Sequence, residues 1–156
     1  MPLRAAHLQP QARIEHYRRP QVEISAIVKN SGAGHLVSVR TDGATQALTI
    51  PGKASGHGSS VNGGEFLLLA LATCYCNDLY REAARLGIGL SGVEVEATAD
   101  FPGVGLAATN IRYRANVSSP AGPTAIADLL RQTDAVAEVH NTVRSGVPVV
   151  LVGDRL

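Results

Sequence analysis

Glu65-Phe-Leu-Leu-Leu-Ala-Leu-Ala-Thr-Cys-Tyr-Cys-Asn-Asp-Leu79 is the longest hydrophobic run of the chain and carries its only two cysteines, Cys74 and Cys76. The run is too long for a strand and holds no glycine or proline, so residues 65–86 read as one helix, ~30 Å long at 1.5 Å per residue, with polar Asn77 and Asp78 interrupting its apolar stretch. Glycines precede it, and it stops at Gly87 with Arg85 in its last turn, where a cation and a left-handed cap are favoured. Residues 66–72 are apolar on every side, a pattern expected of a helix buried all round. Arg81, Glu82 and Arg85 predict a wet face for the second half. Cys74 lies where these two regimes meet.

Working outward, the fourteen residues 51–64 before the helix include glycines at 52, 56, 58, 63 and 64 and read as a loop. Such a loop ahead of a helix can cradle a phosphate, but it lacks the Lys-Ser/Thr ending and the dinucleotide spacing. Upstream, residues 22–28, 36–40 and 46–50 are short β-branched runs separated by Ser31-Gly-Ala-Gly34 and Asp42-Gly43, which are hairpin signals. They predict a three-stranded antiparallel meander. Downstream come strand candidates at 93–101 and 110–117, helix candidates at 123–132 and 135–144, and a last strand at 147–152. The order β-β-β-α-β-β-α-α-β indicates α+β architecture rather than a parallel α/β sheet. Residues 1–20 have no clear period and read as an N-terminal arm, leaving 21–156 as a single domain.

Composition sets the class. The chain is 156 residues long, 45% hydrophobic and 17% charged, ordinary values for a globular protein. Its 14 basic and 13 acidic residues give a formal net charge of +1, so no footprint for nucleic acid or an anionic membrane stands out. The first residues carry no apolar signal core and no run reaches membrane-spanning length, so a soluble, cytoplasmic protein is expected.

Cys74 and Cys76 are a poor disulfide pair, because the loop between them is tiny and side chains two apart on a helix point about 200° apart around its axis. Reduced thiols are the better reading. A cysteine thiol is nucleophilic and redox-active, and it is also a small hydrophobe that simply packs; both readings stand for Cys74. Asp78, four residues on, shares its helical face, where a carboxylate raises a thiol pKa; the plainer role is a hydrogen-bonded or interface carboxylate. Tyr75 and Tyr80 read as core or interface residues. The five histidines, His7, His16, His35, His57 and His140, have no ligand-pair spacing, so neither a metal nor a cofactor is expected. His140 could polarise a thiol or be a solvent-facing helix residue.

The cysteine run, followed by Ala83-Ala-Arg-Leu-Gly-Ile88 and Val93-Glu-Val-Glu96 and later by Val139-His-Asn-Thr-Val-Arg-Ser-Gly-Val-Pro-Val149, resembles the OsmC/Ohr superfamily. The resemblance runs from about residue 22 to residue 152. It implies an OsmC-like fold, with antiparallel sheets around a long central cysteine-bearing helix in an intertwined homodimer. It also implies thiol-dependent reduction of organic hydroperoxides, with a thiol reductant as second substrate.

In that family a helix cysteine attacks the peroxide and condenses with a second cysteine, while an Arg and a Glu lower the thiol pKa. Cys74 takes the attacking position. The second cysteine falls on Ala137 and the usual Glu on Gly64, with Glu65 beside it matching an acidic position of the OsmC-like branch. An arginine from the N-terminal region is implied, with Arg13, Arg18 and Arg19 available and Arg18 or Arg19 preferred. Cys76 and His140 are secondary candidates. Without a second thiol in register, a one-cysteine cycle closed by an external thiol is the peroxidase reading. The other reading is a non-catalytic dimer that binds a small apolar ligand or a protein.

Overall fold

The computed structural model describes residues 21–32 and 34–153 and divides into two compact units, one ending at Ser60 and the other beginning at Val61. The candidate arm, with Arg13, Arg18 and Arg19, lies outside the described residues.

The first unit is the expected meander. Strands β1 (Ile24–Ser31), β2 (Gly34–Thr41) and β3 (Ala44–Leu48) pair antiparallel in the order β1-β2-β3. The β2–β3 turn is Asp42-Gly43, both with positive φ (46° and 88°), the left-handed pair that matches strand twist in a two-residue hairpin. Asp42 Oδ1 accepts the Glu23 N–H at 3.0 Å, fixing the open end of β1. Val37, opposite Val28 and Leu48, is the buried centre of the sheet. The glycine-rich loop folds on itself: Lys53 N–H donates to Gly58 O at 3.0 Å and Ser60 Oγ to Pro51 O at 2.9 Å.

The second unit is built on α1 (Gly63–Leu86). Its start is a capping box, in which Glu65 N–H donates to Asn62 Oδ1 at 3.0 Å and Asn62 N–H to Glu65 Oε2 at 2.7 Å. Gly87, with φ of 69°, ends it. Strands β4 (Gly92–Asp100) and β5 (Thr109–Ser118) form an antiparallel hairpin, followed by α2 (Pro123–Val136), which starts on Pro123, and α3 (Glu138–Ser145). Val93, Val95, Tyr113, Ala115 and Val117 alternate toward α1, whereas Glu94, Glu96, Arg114 and Asn116 line the polar outer face, with an Arg114–Glu96 ion pair at 2.6 Å.

The core of this unit joins Tyr75, Leu79 and Ala83 of α1 to Leu129 of α2 and Ala137. Burying leucines such as Leu79 and Leu129, both 0% exposed, contributes about 1.5–3 kcal/mol each. Two expectations change. The buried stripe of α1 is Leu71, Tyr75, Asp78, Leu79, Glu82 and Ala83, a helical repeat, so its first half is not buried all round: Leu69 is 57% exposed. Glu82, expected on the wet face, is buried because Arg81 and Arg85 neutralise it, Arg85 Nε at 2.6 Å. Tyr80 is exposed in the single chain, which leaves the interface half of its core-or-interface reading.

Residues 147–152 form no strand among the described residues and leave Val149 and Leu151 almost fully exposed. A strand needs a ladder partner, and none of the described strands pairs with them. Among the described residues no helix is long and apolar enough to cross a membrane.

Candidate functional site

Cys74 lies at the edge of the buried stripe of α1, three residues after Leu71 and one turn before Asp78, which leaves its sulfur half-buried. Two groups address that sulfur. Its thiol donates to Asp78 Oδ2 at 3.4 Å, and the Val139 backbone amide, in the first turn of α3, acts on it in the direction that favours thiolate. The start of α3 carries unpaired backbone donors and a partial positive charge, so an amide aimed there favours charge on sulfur. The opposing influences are larger. Burial pushes the thiol above its ordinary range, and the hydrogen bond and charge of Asp78 push the same way, so the Val139 amide offsets only part of the rise.

Asp78 is 4% exposed and its carboxyl is also pushed up, chiefly by burial. Arg81 Nη1 holds Asp78 Oδ1 at 2.7 Å and lies 3.7 Å from Glu138 Oε1 at the start of α3. Ligand-type atoms of Cys74, Asp78 and Glu138 fall within 4.8 Å of one another, a set able to hold a cation in principle. The Arg81 guanidinium already supplies positive charge to both carboxylates.

The α2–α3 corner sets this geometry. Ala137 caps both helices at φ −72°, ψ 101°, is fully buried, and immediately precedes Glu138 and Val139. The Asn-Thr-Val-Arg segment ties the corner down. Asn141 Nδ2 donates to Ala135 O at 3.2 Å, while Arg144 Nη2 reaches Asp134 Oδ1 at 2.5 Å and the Tyr113 hydroxyl at 3.3 Å. The Tyr113 hydroxyl also bonds Asp134. Arg144 and Tyr113 together hold the Asp134 carboxyl below its usual range.

His140 is not solvent-facing. It is 3% exposed, with its ring centroid 4.4 Å from that of Tyr113 and 5.6 Å from that of Tyr75, and neither ring nitrogen has a hydrogen-bond partner among the described residues. Burial, reinforced by Arg144, pushes its pKa down and keeps the ring neutral at pH 7. It borders a recess of about 110 Å³ together with Leu71, Ile111, Tyr113, Val143 and Arg144. Tyr75 packs in the core as expected, its hydroxyl donating to Leu130 O at 2.7 Å.

Of the remaining sequence candidates, Glu65 is engaged at the Asn62 cap, nine residues before Cys74 and therefore about 13 Å along the helix axis. At Gly64, a Cβ would stand 2.8 Å from Phe101 Cζ, so the position of the family's usual acid is filled by an aromatic ring. Cys76 is half-buried two residues past Cys74 and faces away from it. Arg81 and Glu138 were not singled out as site residues; the i,i+3 spacing of Asp78 and Arg81 was the available signal, whereas Glu138 joins only through tertiary packing.

No curated protein matches the chain. Solved structures do. An OsmC-like protein from Mycoplasma pneumoniae superposes with a TM-score of 0.56 at 20% identity, covering 80% of this chain and 88% of that one. An OsmC-like hydroperoxide resistance protein from Jannaschia sp. CCS1 gives 0.52 at 16% identity, covering 85% and 93%. An OsmC-like protein of unknown function from Vibrio cholerae gives 0.50 at 11%, covering 80% and 94%. These likenesses establish an α+β OsmC fold, and the family model for OsmC-like proteins matches residues 56–152, from the glycine-rich loop through the cysteine helix and the Asn-Thr-Val-Arg segment. This chain belongs to the OsmC-like protein family.

Proposed function

We propose that the protein is a thiol-dependent peroxidase that reduces organic hydroperoxides at Cys74 and is regenerated by an external thiol. The observation that carries this reading is the half-buried Cys74 thiol, which stands at the family's attacking position on α1 and donates to Asp78 Oδ2 at 3.4 Å. The attacking thiol takes up the terminal peroxide oxygen, giving a sulfenic acid and an alcohol; two equivalents of reductant thiol then return Cys74 and release water and a disulfide. With alanine at 137, no second thiol stands in the family register, so the cycle uses one cysteine. The apolar Leu71, Ile111 and Val143 of the nearby recess suit the carbon part of an organic hydroperoxide. Membership of a family that includes a named hydroperoxide resistance protein supports the reaction class.

The functional unit is a homodimer. The apolar residues Leu69, Tyr80, Phe101, Val149 and Leu151 are exposed in the single chain, and a partner's N-terminal arm would bring Arg18 or Arg19 to the thiol. A reducing, cytoplasmic setting suits both the free thiols and the required reductant.

A second reading, a non-catalytic dimer that binds a small apolar ligand or protein, is favoured by the raised Cys74 pKa, which keeps the thiol protonated at neutral pH. Hydroperoxide consumption with a supplied dithiol separates the two. The peroxidase reading requires turnover in the wild type, its loss in Cys74→Ser and its retention in Cys76→Ser; an inert wild type favours the binding protein.

A further inference from the structure

Asp78 gives its two oxygens to different partners. Oδ2 faces the Cys74 thiol at 3.4 Å, and Oδ1 is held by Arg81 at 2.7 Å. The carboxyl is 4% exposed, so bulk water competes little for either oxygen. The arrangement has the form of nucleophile, base and orienting group, with the base fixed by the third member. From this geometry we propose that Asp78 is the proton shuttle of Cys74, accepting the thiol proton as sulfur attacks a hydroperoxide and returning it to the departing oxygen, with Arg81 as the positioning residue.

The inference rests on the peroxidase reading above. In the step, the S–O bond forms as the O–O bond breaks, the sulfur is oxidised by two electrons and the peroxide is reduced. The thiol proton passes through Asp78 Oδ2 to the alkoxide, which leaves as alcohol, so no further reagent is needed. Charge developing on sulfur is met by the Val139 N–H. A base in contact matters here because burial and Asp78 itself keep preformed thiolate scarce. No acid stands at position 64, where the Phe101 ring fills the space. The groups that face the Asp78 carboxyl are Cys74 and Arg81 on α1 and Glu138 and His140 on α3. Arg81 holds the carboxyl toward the ionised form that can accept a proton, and Glu138 opposes it.

The test is made on the full chain carrying Cys76→Ser, so that Cys74 is the only thiol. Two rates are read for each variant: alkylation of Cys74 by iodoacetamide, which reports thiolate, and the first-turnover reduction of tert-butyl hydroperoxide. Asp78→Asn is expected to speed alkylation at pH 7 at least threefold, because the carboxylate that disfavours thiolate is gone, and to slow peroxide reduction at least tenfold. Arg81→Gln, at a half-exposed site, is expected to move the acid limb of the peroxide pH profile upward, because the carboxyl then binds its proton more tightly. If Asp78→Asn reduces peroxide as fast as its parent, the shuttle is overturned while the peroxidase reading survives. An inert parent overturns both. If Asp78→Asn fails to fold, as judged by circular dichroism, the Arg81→Gln profile decides, and an unmoved acid limb overturns the shuttle.

Discussion

Arg144 Nη2 lies 2.5 Å from Asp134 Oδ1 across the corner between α2 and α3, a contact that fixes where the first turn of α3 meets Cys74. Both side chains are roughly half exposed, 48% and 40%, so solvent screens the pair and its worth is about 1 kcal/mol. Arg144→Met is expected to lower the thermal midpoint by several degrees, and a double-mutant cycle with Asp134→Asn to return a coupling near 1 kcal/mol. The Asp134 carboxyl is depressed in the folded state, so its contribution is full above the unfolded carboxylate pKa, about 3.9, and is lost as pH falls through the lower folded value. Wild type and Arg144→Met should therefore converge in stability in strong acid. A constant gap across that range would remove Asp134 as the partner that matters.

His140 predicts a second pH dependence with the same sign. Its folded pKa lies below the ordinary 6.5, so between the two values the unfolded chain binds more protons and stability falls as pH falls. The slope is at most about 1.4 kcal/mol per pH unit for one group. Denaturant unfolding of wild type from pH 7 to pH 5 should show this slope, and His140→Phe should flatten it. Equal slopes in the two proteins would mean that the imidazole is protonated without penalty in the fold.

Much of this molecule was legible in its sequence because the signals were local. Asp42-Gly43 announced a hairpin, Gly87 ended the long helix, and the strand candidates at 93–101 and 110–117 became the β4–β5 hairpin. What failed to show was tertiary. His140 looked like a surface residue because the rings that bury it, Tyr75 and Tyr113, come from a distant helix and strand. Glu82 looked wet because charge is read as exposure, yet two arginines on the same helix make its burial tolerable. The apolar residues 147–152 carried strand composition without a partner among the described strands, which no composition supplies. At the site, the i,i+4 spacing of Cys74 and Asp78 was visible, whereas the α3 amide that completes the sulfur's surroundings lies 65 residues further on, at Val139.

Asn62 and Glu65 separate a capping role from a chemical one. Asn62→Ala removes the cap of α1 and is expected to cost about 1 kcal/mol. Glu65→Gln keeps an acceptor for the Asn62 N–H, so the reciprocal box survives with only a few tenths of a kcal/mol lost to the helix dipole. Thermal unfolding of both variants checks the cap. Hydroperoxide turnover in Glu65→Gln checks the chemistry: near-wild-type rates are expected from a carboxylate about 13 Å along the axis from Cys74, and a tenfold loss would place Glu65 at the thiol through a partner subunit.

Ala137→Cys tests whether the one-cysteine cycle follows from a single missing atom. Ala137 is fully buried at the junction of α2 and α3, so an added sulfur overpacks the site and is expected to cost about 1–3 kcal/mol. The residue immediately precedes Glu138, whose carboxylate lies in the same 4.8 Å cluster as the Cys74 sulfur, and Val139, whose amide reaches that sulfur. A thiol placed there is therefore expected to trap the sulfenic acid before an external thiol arrives. One equivalent of organic hydroperoxide should remove two titratable thiols from a chain carrying Ala137→Cys and Cys76→Ser. Intact mass should fall by two hydrogens, the signature of an internal disulfide, while the Cys76→Ser parent gains one oxygen. If the double variant also gains oxygen, the thiol at 137 does not reach Cys74, and alanine there is not what confines the protein to a single-cysteine cycle.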